Sequence, residues 1–302
     1  MRLAVTEGPA PGRRAGGVAV VLGAAGGLGE GVARRLADDG MRLVLADVDR
    51  APVHDLADDL AAAGHPEVLA LRTDVTSTAD VTALRDAAVD RYGEVNLVFN
   101  TIGVTTIGPF WKLKRGDWDW VMSVNLAGAL NVTEAFLPQF VDTDQGQLIH
   151  TSSTTAVAPG RGNAAPYVAS KAALVALCEG LQQDLWAAGS QVTVHVAFPG
   201  TVQSEIATSE RNRPAEFGPP SMDPADVARL RAHSQTAGLP GTTVAANLLG
   251  ELDEGRFYLF GHDTDRQVAA SRYEDITSGI LSREAQPGSF DVRMALTESP
   301  GR

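Results

Sequence analysis

The chain has 302 residues, of which 44% are hydrophobic, and its formal net charge is −12. This length allows one large domain or two small ones, and the apolar fraction is sufficient for a buried core. Because Lys and Arg form no basic run, neither nucleic acid nor an anionic membrane is an expected partner. Cys178 is the only cysteine, which excludes an intrachain disulfide and a zinc-type cysteine pair. No metal site is therefore predicted. The single cysteine suits a reducing compartment, so the location is predicted to be cytoplasmic.

The two ends of the sequence differ in composition from the rest. Residues 1–16 are rich in Gly, Pro and Arg and lack the apolar run of a signal peptide, so a flexible tail is predicted. A single domain is predicted over 17–280, followed by a polar tail over 281–302. No stretch approaches the roughly 20 apolar residues of a membrane-spanning helix.

Short apolar runs alternate with longer helix-like segments from residue 17 onward. Runs of this kind joined by helices predict a parallel sheet that is covered on both faces. The fold class is therefore predicted to be α/β, a doubly wound, Rossmann-type sheet of about seven strands. The predicted strands are 18–22, 43–46, 68–71, 97–99, 148–150, 192–197 and 257–260, and the main predicted helices are 29–40, 51–64, 78–92, 118–140 and 165–188.

The segment 201–250 interrupts this alternation with five prolines and two short helical patterns. It follows a strand end, which is where such sheets bind ligands. We interpret it as a lid over a substrate site. The alternative is an ordinary irregular excursion of the chain.

A glycine-rich turn follows the first predicted strand and precedes a helix. Glycines at this place let backbone N–H groups approach a pyrophosphate at the helix N-terminus, where the helix dipole favours anions. A simple tight turn is the alternative. The predicted cofactor-binding residues of the turn are Gly23, Gly27, Leu28 and Gly29.

An acidic residue, Asp47, ends the second predicted strand. A carboxylate there accepts hydrogen bonds from a ribose 2′-hydroxyl and repels a 2′-phosphate, so NAD is predicted rather than NADP. The glycine turn agrees, because it contains no Arg or Lys for that phosphate. The alternative is that Asp47 or Asp49 caps the next helix.

Polar and small residues also end the third and fourth predicted strands. Asp74 and Val75 are predicted to meet the adenine of the cofactor, although Asp74 could instead cap the following helix. Asn100 and Gly103 are predicted to lie beside the cofactor, although both residue types are also common in turns.

Tyr167 and Lys171 are spaced four residues apart on a predicted helix, so their side chains point the same way. A nearby ammonium is expected to lower the pKa of the Tyr hydroxyl from about 10 and to make it a usable acid–base group. Ser153 lies at the end of the preceding strand and could hold the oxygen of the reacting group. Alone, this Tyr–Lys spacing also occurs by chance on surface helices.

Taken together, these motifs resemble the short-chain dehydrogenase/reductase family, in its compact single-domain subgroup. The resemblance covers about residues 17–205 well, and the motifs occur in the order of the family. They are the glycine turn with Gly23, Gly27 and Gly29; Asn100-Thr101-Ile102-Gly103; Asn125; the set Ser153, Tyr167 and Lys171; and Pro199-Gly200-Thr201-Val202-Gln203-Ser204. Leu22 stands where the family usually has Thr, and Thr101-Ile102 replaces the middle of its Asn-Asn-Ala-Gly stretch.

The resemblance implies hydride transfer between a nicotinamide and a carbinol carbon. It implies that Tyr167 is the acid–base, that Lys171 lowers its pKa and holds the nicotinamide ribose, and that Ser153 binds the substrate oxygen. It further implies that Asn125 completes a proton relay to Lys171, although this Asn could simply satisfy a backbone group. The remaining implied contacts to the nicotinamide side come from Pro199, Gly200, Val202 and Ser204, and a homodimer or homotetramer is implied as well.

The serine assignment has one competitor. The family often shows thirteen residues between the Ser and the Tyr, and that count leads to Thr154. Alignment from the strand leads instead to Ser153, with one inserted residue in the loop before Tyr167. Ser153 is therefore preferred.

Two other functions fit parts of the sequence. One is an extended-family sugar-nucleotide epimerase or dehydratase, and the other is a dinucleotide-sensing protein without turnover. The spacing from Lys171 to Pro199-Gly200 favours the compact subgroup. The substrate is predicted to be an apolar secondary alcohol or ketone, in a pocket lined by Val157, Trp111 and the 201–250 segment. For Trp111, packing in the core or at an interface is an equal alternative.

Overall fold

The computed structural model describes residues 14–281 apart from Pro66 and Arg161. Its strands form one parallel seven-stranded sheet in the order β3-β2-β1-β4-β5-β6-β7, which confirms the predicted fold class. The strands are β1 Val18–Leu22, β2 Arg42–Asp47, β3 Val68–Arg72, β4 Leu97–Asn100, β5 Gln147–Thr151, β6 Thr193–Phe198 and β7 Tyr258–Phe260.

Helices cover both faces of this sheet. One face carries α1, α2 and α9, and the other carries α3, α5 and α7. The α-helices are α1 Gly27–Asp38, α2 Arg50–Ala62, α3 Thr78–Tyr92, α4 Arg115–Met122, α5 Gly128–Thr143, α6 Thr154–Val157, α7 Ala165–Ala187, α8 Pro224–Ala237, α9 Gly241–Asp253 and α10 Asp265–Ser278.

The central strand β1 shows why the strands appear as continuous apolar runs. All five of its residues are buried, because successive side chains enter opposite faces and each face is covered by helices. Val18, Val20 and Leu22 enter the core under α3, α5 and α7. Ala19 and Val21 enter the core under α1, α2 and α9.

The order in which the chain adds strands to the sheet changes direction beside β1. Strand β1 pairs with β2 on one side and with β4 on the other, and both pairings are parallel. The carboxyl ends of β1 and β4 therefore border a crevice from which the connecting helices diverge. Open α/β sheets bind ligands at this point.

The predicted lid, residues 201–250, extends too far, because its last ten residues belong to helix α9. Val244, Leu248 and Leu252 are fully buried, and they pack on α1 in the core of the sheet face. The predicted lid boundary at residue 250 is therefore wrong, because residues 241–250 belong to a core helix. The irregular excursion ends before Gly241.

Truncating this core helix is expected to destabilise the fold strongly. Leu248→Ala should lower the free energy of unfolding by about 2–5 kcal/mol, because it leaves a cavity where no water enters. Thr243→Ala on the exposed side of α9 is the matched control and should change it by less than about 0.5 kcal/mol. Urea unfolding measures both, and equal effects would contradict the burial of α9.

The predicted N-terminal tail, residues 1–16, extends too far, because Arg14 near its end is held by the folded domain. Arg14 is only 9% exposed, and its guanidinium pairs with Asp39 at 3.1 Å and with Asp253 at 2.6 Å. Arg14 therefore ties the chain to α1 and α9 before β1 begins. The rest of the predicted tail, residues 1–13, and residues 282–302 of the predicted C-terminal tail lie outside the described residues.

His150, His195 and Cys178 are all buried in the sheet domain. His195 Nδ1 lies 2.8 Å from the Arg256 carbonyl oxygen, and Nε2 lies 2.9 Å from Thr193 Oγ1. Burial lowers the pKa of His195 to about 4 and that of His150 to about 3, so both imidazoles are neutral at pH 7.

The free energy of unfolding should therefore fall as the pH drops below about 6.5, the pKa of an exposed His. Between that value and about 4 the unfolded chain binds a proton at His195 that the folded chain does not. One such proton contributes a slope of about 1.4 kcal/mol per pH unit. In urea titrations at several pH values, His195→Asn should flatten the slope by about one proton. An unchanged slope would contradict the neutral buried state.

Within residues 14–65, 67–160 and 162–281, no helix has the length and apolarity that crossing a membrane requires.

Candidate active site

A cavity of about 1580 Å³ opens at the carboxyl edge of the sheet. Its walls come from the turns after β1, β2, β3, β4, β5 and β6, from the start of α7, and from the chain between β6 and α9. The predicted residues that line it are Gly23, Gly27, Leu28, Gly29, Asp47, Asp74, Val75, Gly103, Ser153, Tyr167, Lys171, Pro199, Gly200, Val202 and Ser204. Two predicted residues, Asn100 and Asn125, do not line it.

The glycine turn forms one end of this cavity. Gly23 has a φ of +78°, and Thr101 Oγ1 donates to the carbonyl oxygens of Leu22 and Gly23 at 2.8 and 3.2 Å. Thr101 thus ties the turn, although it departs from the family pattern. A side chain at Gly27 would collide with the carbonyl oxygen of Gln203.

Helix α1 presents its N-terminus to the cavity without a side-chain cap. Gly26 is the N-cap residue and makes no side-chain bond, so the first backbone N–H groups have no partner within the helix. Because Gly27 and Leu28 line the cavity there, an anionic group can approach these N–H groups closely. This arrangement fits the pyrophosphate of a dinucleotide.

The Asp47 carboxylate lies at the end of β2 and faces the same cavity. It accepts from the backbone N–H groups of Ala25 and Asp49, each at 3.0 Å. Burial raises the pKa of Asp47, and these two hydrogen bonds oppose that rise. Asp49 occupies the N-cap position of α2, but neither acid caps the helix with its side chain: Asp47 accepts from the Asp49 N–H, and Asp49 accepts from Arg211 and Asn212.

Asp74 lies at the end of β3 in a local turn. Its Oδ1 accepts from the Thr76 backbone N–H at 2.9 Å and from Thr76 Oγ1 at 2.7 Å. The cap of α3 is Ser77, whose Oγ accepts from the Asp80 backbone N–H at 3.2 Å. The alternative that Asp74 caps this helix is therefore wrong.

Asn100 is a correction to the predicted cofactor contacts. Its Nδ2 lies 3.2 Å from His150 Nδ1, and its Oδ1 accepts from the Ile102 backbone N–H at 3.1 Å. Because both ends of the amide are used inside the protein, Asn100 shapes the turn after β4 and does not reach the cavity. Gly103 does line the cavity, and a Cβ there would lie 3.1 Å from Lys171 Nζ.

Tyr167 and Ser153 meet inside the cavity. Tyr167 lies in the first turns of α7, Ser153 follows β5, and both line the cavity. Burial raises the pKa of Tyr167, and the nearby Ser153 hydroxyl opposes that rise. The prediction that Lys171 lowers this pKa is not met in this structure.

The position of Lys171 explains that result. Its Nζ lies 6.0 Å from the centre of the Tyr167 ring and donates to the carbonyl oxygens of Thr151 at 2.7 Å and Ile102 at 3.3 Å. Burial lowers the pKa of Lys171 to about 7, so its positive charge is only partly present at neutral pH. Lys171 can therefore take up or release a proton beside Tyr167.

The structure separates the two candidates for the serine role. Ser153 lines the cavity beside Tyr167, and its Oγ accepts from the Thr155 N–H and hydroxyl at 3.2 and 3.0 Å. Thr154 Oγ1 instead donates to Asp265 Oδ2 at 2.9 Å. This geometry favours Ser153, and it adds Asp265 to the cavity wall, a residue that no sequence motif indicated.

Asn125 lies in a π-helical turn, Ser123–Ala127, between α4 and α5. Its Oδ1 accepts from the Val104 N–H at 2.8 Å, and its Nδ2 donates to the Val104 carbonyl at 2.9 Å and to Ser170 Oγ at 3.0 Å. Its side chain thus has no direct contact with the cavity. Asn125 therefore holds the loop after β4 in place. This is the arrangement expected from the alternative in which the Asn simply satisfies backbone groups.

The chain after β6 forms the next wall of the cavity. Residues 201–240 of this chain are called the lid from here on. Gly200 has a φ of +68°, and the Ser204 N–H donates to Ser234 Oγ at 3.2 Å. Two 3₁₀ helices, Ile206–Asn212 and Ala215–Phe217, precede α8.

A buried ion pair anchors this lid to α4. Arg213 Nη1 donates to Asp117 Oδ1 at 2.8 Å, and both side chains are buried. The other guanidinium nitrogens of Arg213 donate to the carbonyl oxygens of Gly218 and Phe217. The Arg213 guanidinium also lies 5.3 Å from the ring centre of Trp120, which lines the cavity.

The substrate side of the cavity differs from the predicted one. Trp111 is 79% exposed and does not line it, and Val157 packs against the core instead. Trp120 on α4 faces the cavity, whereas Trp111, which precedes α4, does not. The apolar wall therefore comes from other residues. Its apolar members are Val104, Ile107, Trp120, Ile206, Phe217 and Leu230, and polar members include Thr105, Ser209, Glu216 and His233.

A doubly wound sheet with an uncapped glycine turn and a Ser–Tyr–Lys set at its carboxyl edge defines a class, the dinucleotide-dependent oxidoreductases. The profile of the short chain dehydrogenases matches residues 17–215. The chain belongs to the short-chain dehydrogenase/reductase family. It is an NAD(P)-dependent enzyme acting on CH–OH groups.

Individual relatives extend this likeness beyond the matched segment. The 1-deoxy-11-beta-hydroxypentalenate dehydrogenase of Streptomyces exfoliatus is 33% identical over 85% of this chain and 87% of its own length. The CLA biosynthesis dehydrogenase/reductase of Lactiplantibacillus plantarum is 28% identical over 86% and 93%. A crystal structure of a family member from Burkholderia phymatum in complex with NAD is 34% identical, with a TM-score of 0.85 over 90% of this chain and 98% of that one.

Proposed function

We propose that this enzyme uses NAD to interconvert a secondary alcohol and its ketone, with Tyr167 as the acid–base. The convergence of Tyr167, Ser153 and Lys171 on one wall of the cavity is the observation that carries the proposal. These three groups share one cavity with the glycine turn and Asp47. Proton transfer and dinucleotide binding therefore converge at one place.

The residues divide the chemistry among them. When bound, the nicotinamide supplies or takes up the hydride at the carbinol carbon. Tyr167 Oη exchanges the proton with the substrate oxygen, and Ser153 Oγ donates a hydrogen bond to that oxygen as its charge grows. Lys171, with a pKa of about 7, lies beside Tyr167 and can take up or pass on a proton there. Asn125 positions the loop that passes over Lys171.

The preference for NAD rests on Asp47. Its half-buried carboxylate faces the cavity next to the glycine turn, where an adenosine ribose would lie. It can accept from a ribose hydroxyl, and it would repel a 2′-phosphate. The relative from Burkholderia phymatum in complex with NAD supports this choice.

We propose a bulky, largely apolar secondary alcohol or ketone as the substrate. Trp120, Ile107 and Phe217 provide the apolar contact area, while Thr105 and Glu216 allow a polar substituent. The names of the relatives agree with a bulky substrate, since one is a hydroxypentalenate dehydrogenase.

A homodimer or homotetramer in the cytoplasm completes the proposal. On α7, Leu174 and Leu185 are buried in the core, whereas Leu177 and Leu181 are only half-buried beside it. This face of α7 is therefore available for a second copy of the chain.

Reduction of NAD in the presence of a panel of bulky secondary alcohols tests the proposal. We expect turnover with at least one apolar member and much slower turnover with NADP. Tight NAD binding without turnover across a broad panel would favour the dinucleotide-sensing alternative. Turnover only with nucleotide sugars would favour the epimerase or dehydratase alternative.

A further inference from the structure

An ion pair joins two distant parts of the chain across the cavity. Asp49 lies in the turn after β2, and Arg211 and Asn212 lie in the 3₁₀ helix of the lid. Arg211 Nη2 donates to Asp49 Oδ2 at 2.8 Å, and Asn212 Nδ2 donates to the same oxygen at 3.1 Å. All three residues line the cavity, so the contact connects two of its walls.

The contact lies beside the proposed adenosine site. Asp49 is two residues beyond Asp47, and the charge of Arg211 is close enough to lower the pKa of Asp47. Arg211 Nη1 also donates to the Thr208 carbonyl at 3.2 Å, which orients the guanidinium from its own helix. The cation therefore stands at the adenosine end and not at the Tyr167 end.

We propose that Asp49, Arg211 and Asn212 form a clasp that retains the dinucleotide. The lid helix Ile206–Asn212 closes the adenosine end through this contact, and the cofactor leaves after the contact opens. The inference rests on the proposed dinucleotide binding and adds residues that determine cofactor retention. It concerns the exchange of the cofactor and not the transfer of the hydride.

The exposure of the pair suits a contact that opens repeatedly. The Arg211 side chain is 50% exposed and that of Asp49 is 29% exposed, so water and salt reach both. Exposed ion pairs are weak and are screened by salt. Opening the clasp should therefore change the rate of cofactor release and leave the thermal unfolding midpoint nearly unchanged.

Stopped-flow fluorescence of NADH release from the full-length protein tests the clasp. Arg211→Gln and Asp49→Asn should each raise the release rate about 1.5- to 5-fold, the range that an exposed ion pair allows. The double variant should release NADH no faster than the faster single variant, because both changes remove the same contact. Added salt should speed release from the unmodified protein more than from the variants.

The pair of Asp226 and Arg229 on α8 provides a matched control. It is also a partly exposed ion pair, but neither residue lines the cavity. Arg229→Gln should leave NADH release unchanged. Unchanged release from Arg211→Gln and Asp49→Asn, or fully additive effects, would overturn the clasp alone. An unmodified protein that binds no NADH would contradict the proposed cofactor site itself.

Discussion

Replacing Tyr167 by Phe is expected to lower kcat by about 10²–10⁴-fold, the usual contribution of a positioned acid–base group. The variant keeps the ring in the buried site but removes the hydroxyl that meets Ser153. Because Tyr167 exchanges the proton and does not carry the dinucleotide pyrophosphate, NADH affinity should change little. Steady-state kinetics with a confirmed substrate, together with NADH titration, separate these two effects.

Ser153 and Thr154 supply the comparison within the same site. Ser153→Ala should lower kcat by about 10²–10³-fold, as the loss of one donor to a developing oxyanion does. Thr154→Val should retain most of the activity, because the Thr154 hydroxyl serves Asp265. A Thr154→Val effect larger than that of Ser153→Ala would reverse the assignment. Near-normal turnover by Tyr167→Phe would contradict the mechanism.

Replacing Asp47 by Asn is expected to weaken NADH binding by about 10–100-fold, the range for a lost hydrogen bond to a charged group. The neutral amide accepts less strongly from a ribose hydroxyl, and it no longer repels a 2′-phosphate. NADPH binding should therefore strengthen, helped by Arg211 nearby. Fluorescence titrations with both reduced cofactors give the two dissociation constants.

Asp74→Asn is the control for this cofactor prediction. Asp74 also lines the cavity, but it ends β3 and lies where the adenine is predicted. Its replacement should affect NADH and NADPH about equally, since the adenine is common to both. Tighter binding of NADPH than of NADH by the unmodified protein would contradict the role of Asp47.

The sheet could be predicted because each of its strands is marked by a local pattern in the sequence. The seven strands are short apolar runs whose side chains enter two cores, and each run is visible without knowing its partners. The glycine turn, Asp47 and the Tyr167–Lys171 spacing were predictable for the same reason. Each depends on a position relative to a strand end or on the period of one helix.

The missed features all depend on contacts between distant residues. Arg211 reaches Asp49 across 162 positions, and Asp265 reaches Thr154 across 111, so no local pattern could indicate either contact. The lid boundary was wrong because the apolar face of α9 follows directly on a proline-rich segment. The pKa of Tyr167 depends on burial and on the direction in which Lys171 donates, and helix spacing does not determine either.

Transfer of deuterium is the most direct test of hydride exchange between a carbinol carbon and NAD with Tyr167 as the acid–base. The substrate would be a bulky secondary alcohol deuterated at that carbon, and mass spectrometry of the reduced cofactor would detect the label. We expect labelled NADH from the unmodified enzyme and almost none from Tyr167→Phe. Unlabelled NADH during turnover, or equal labelling by both proteins, would contradict this mechanism.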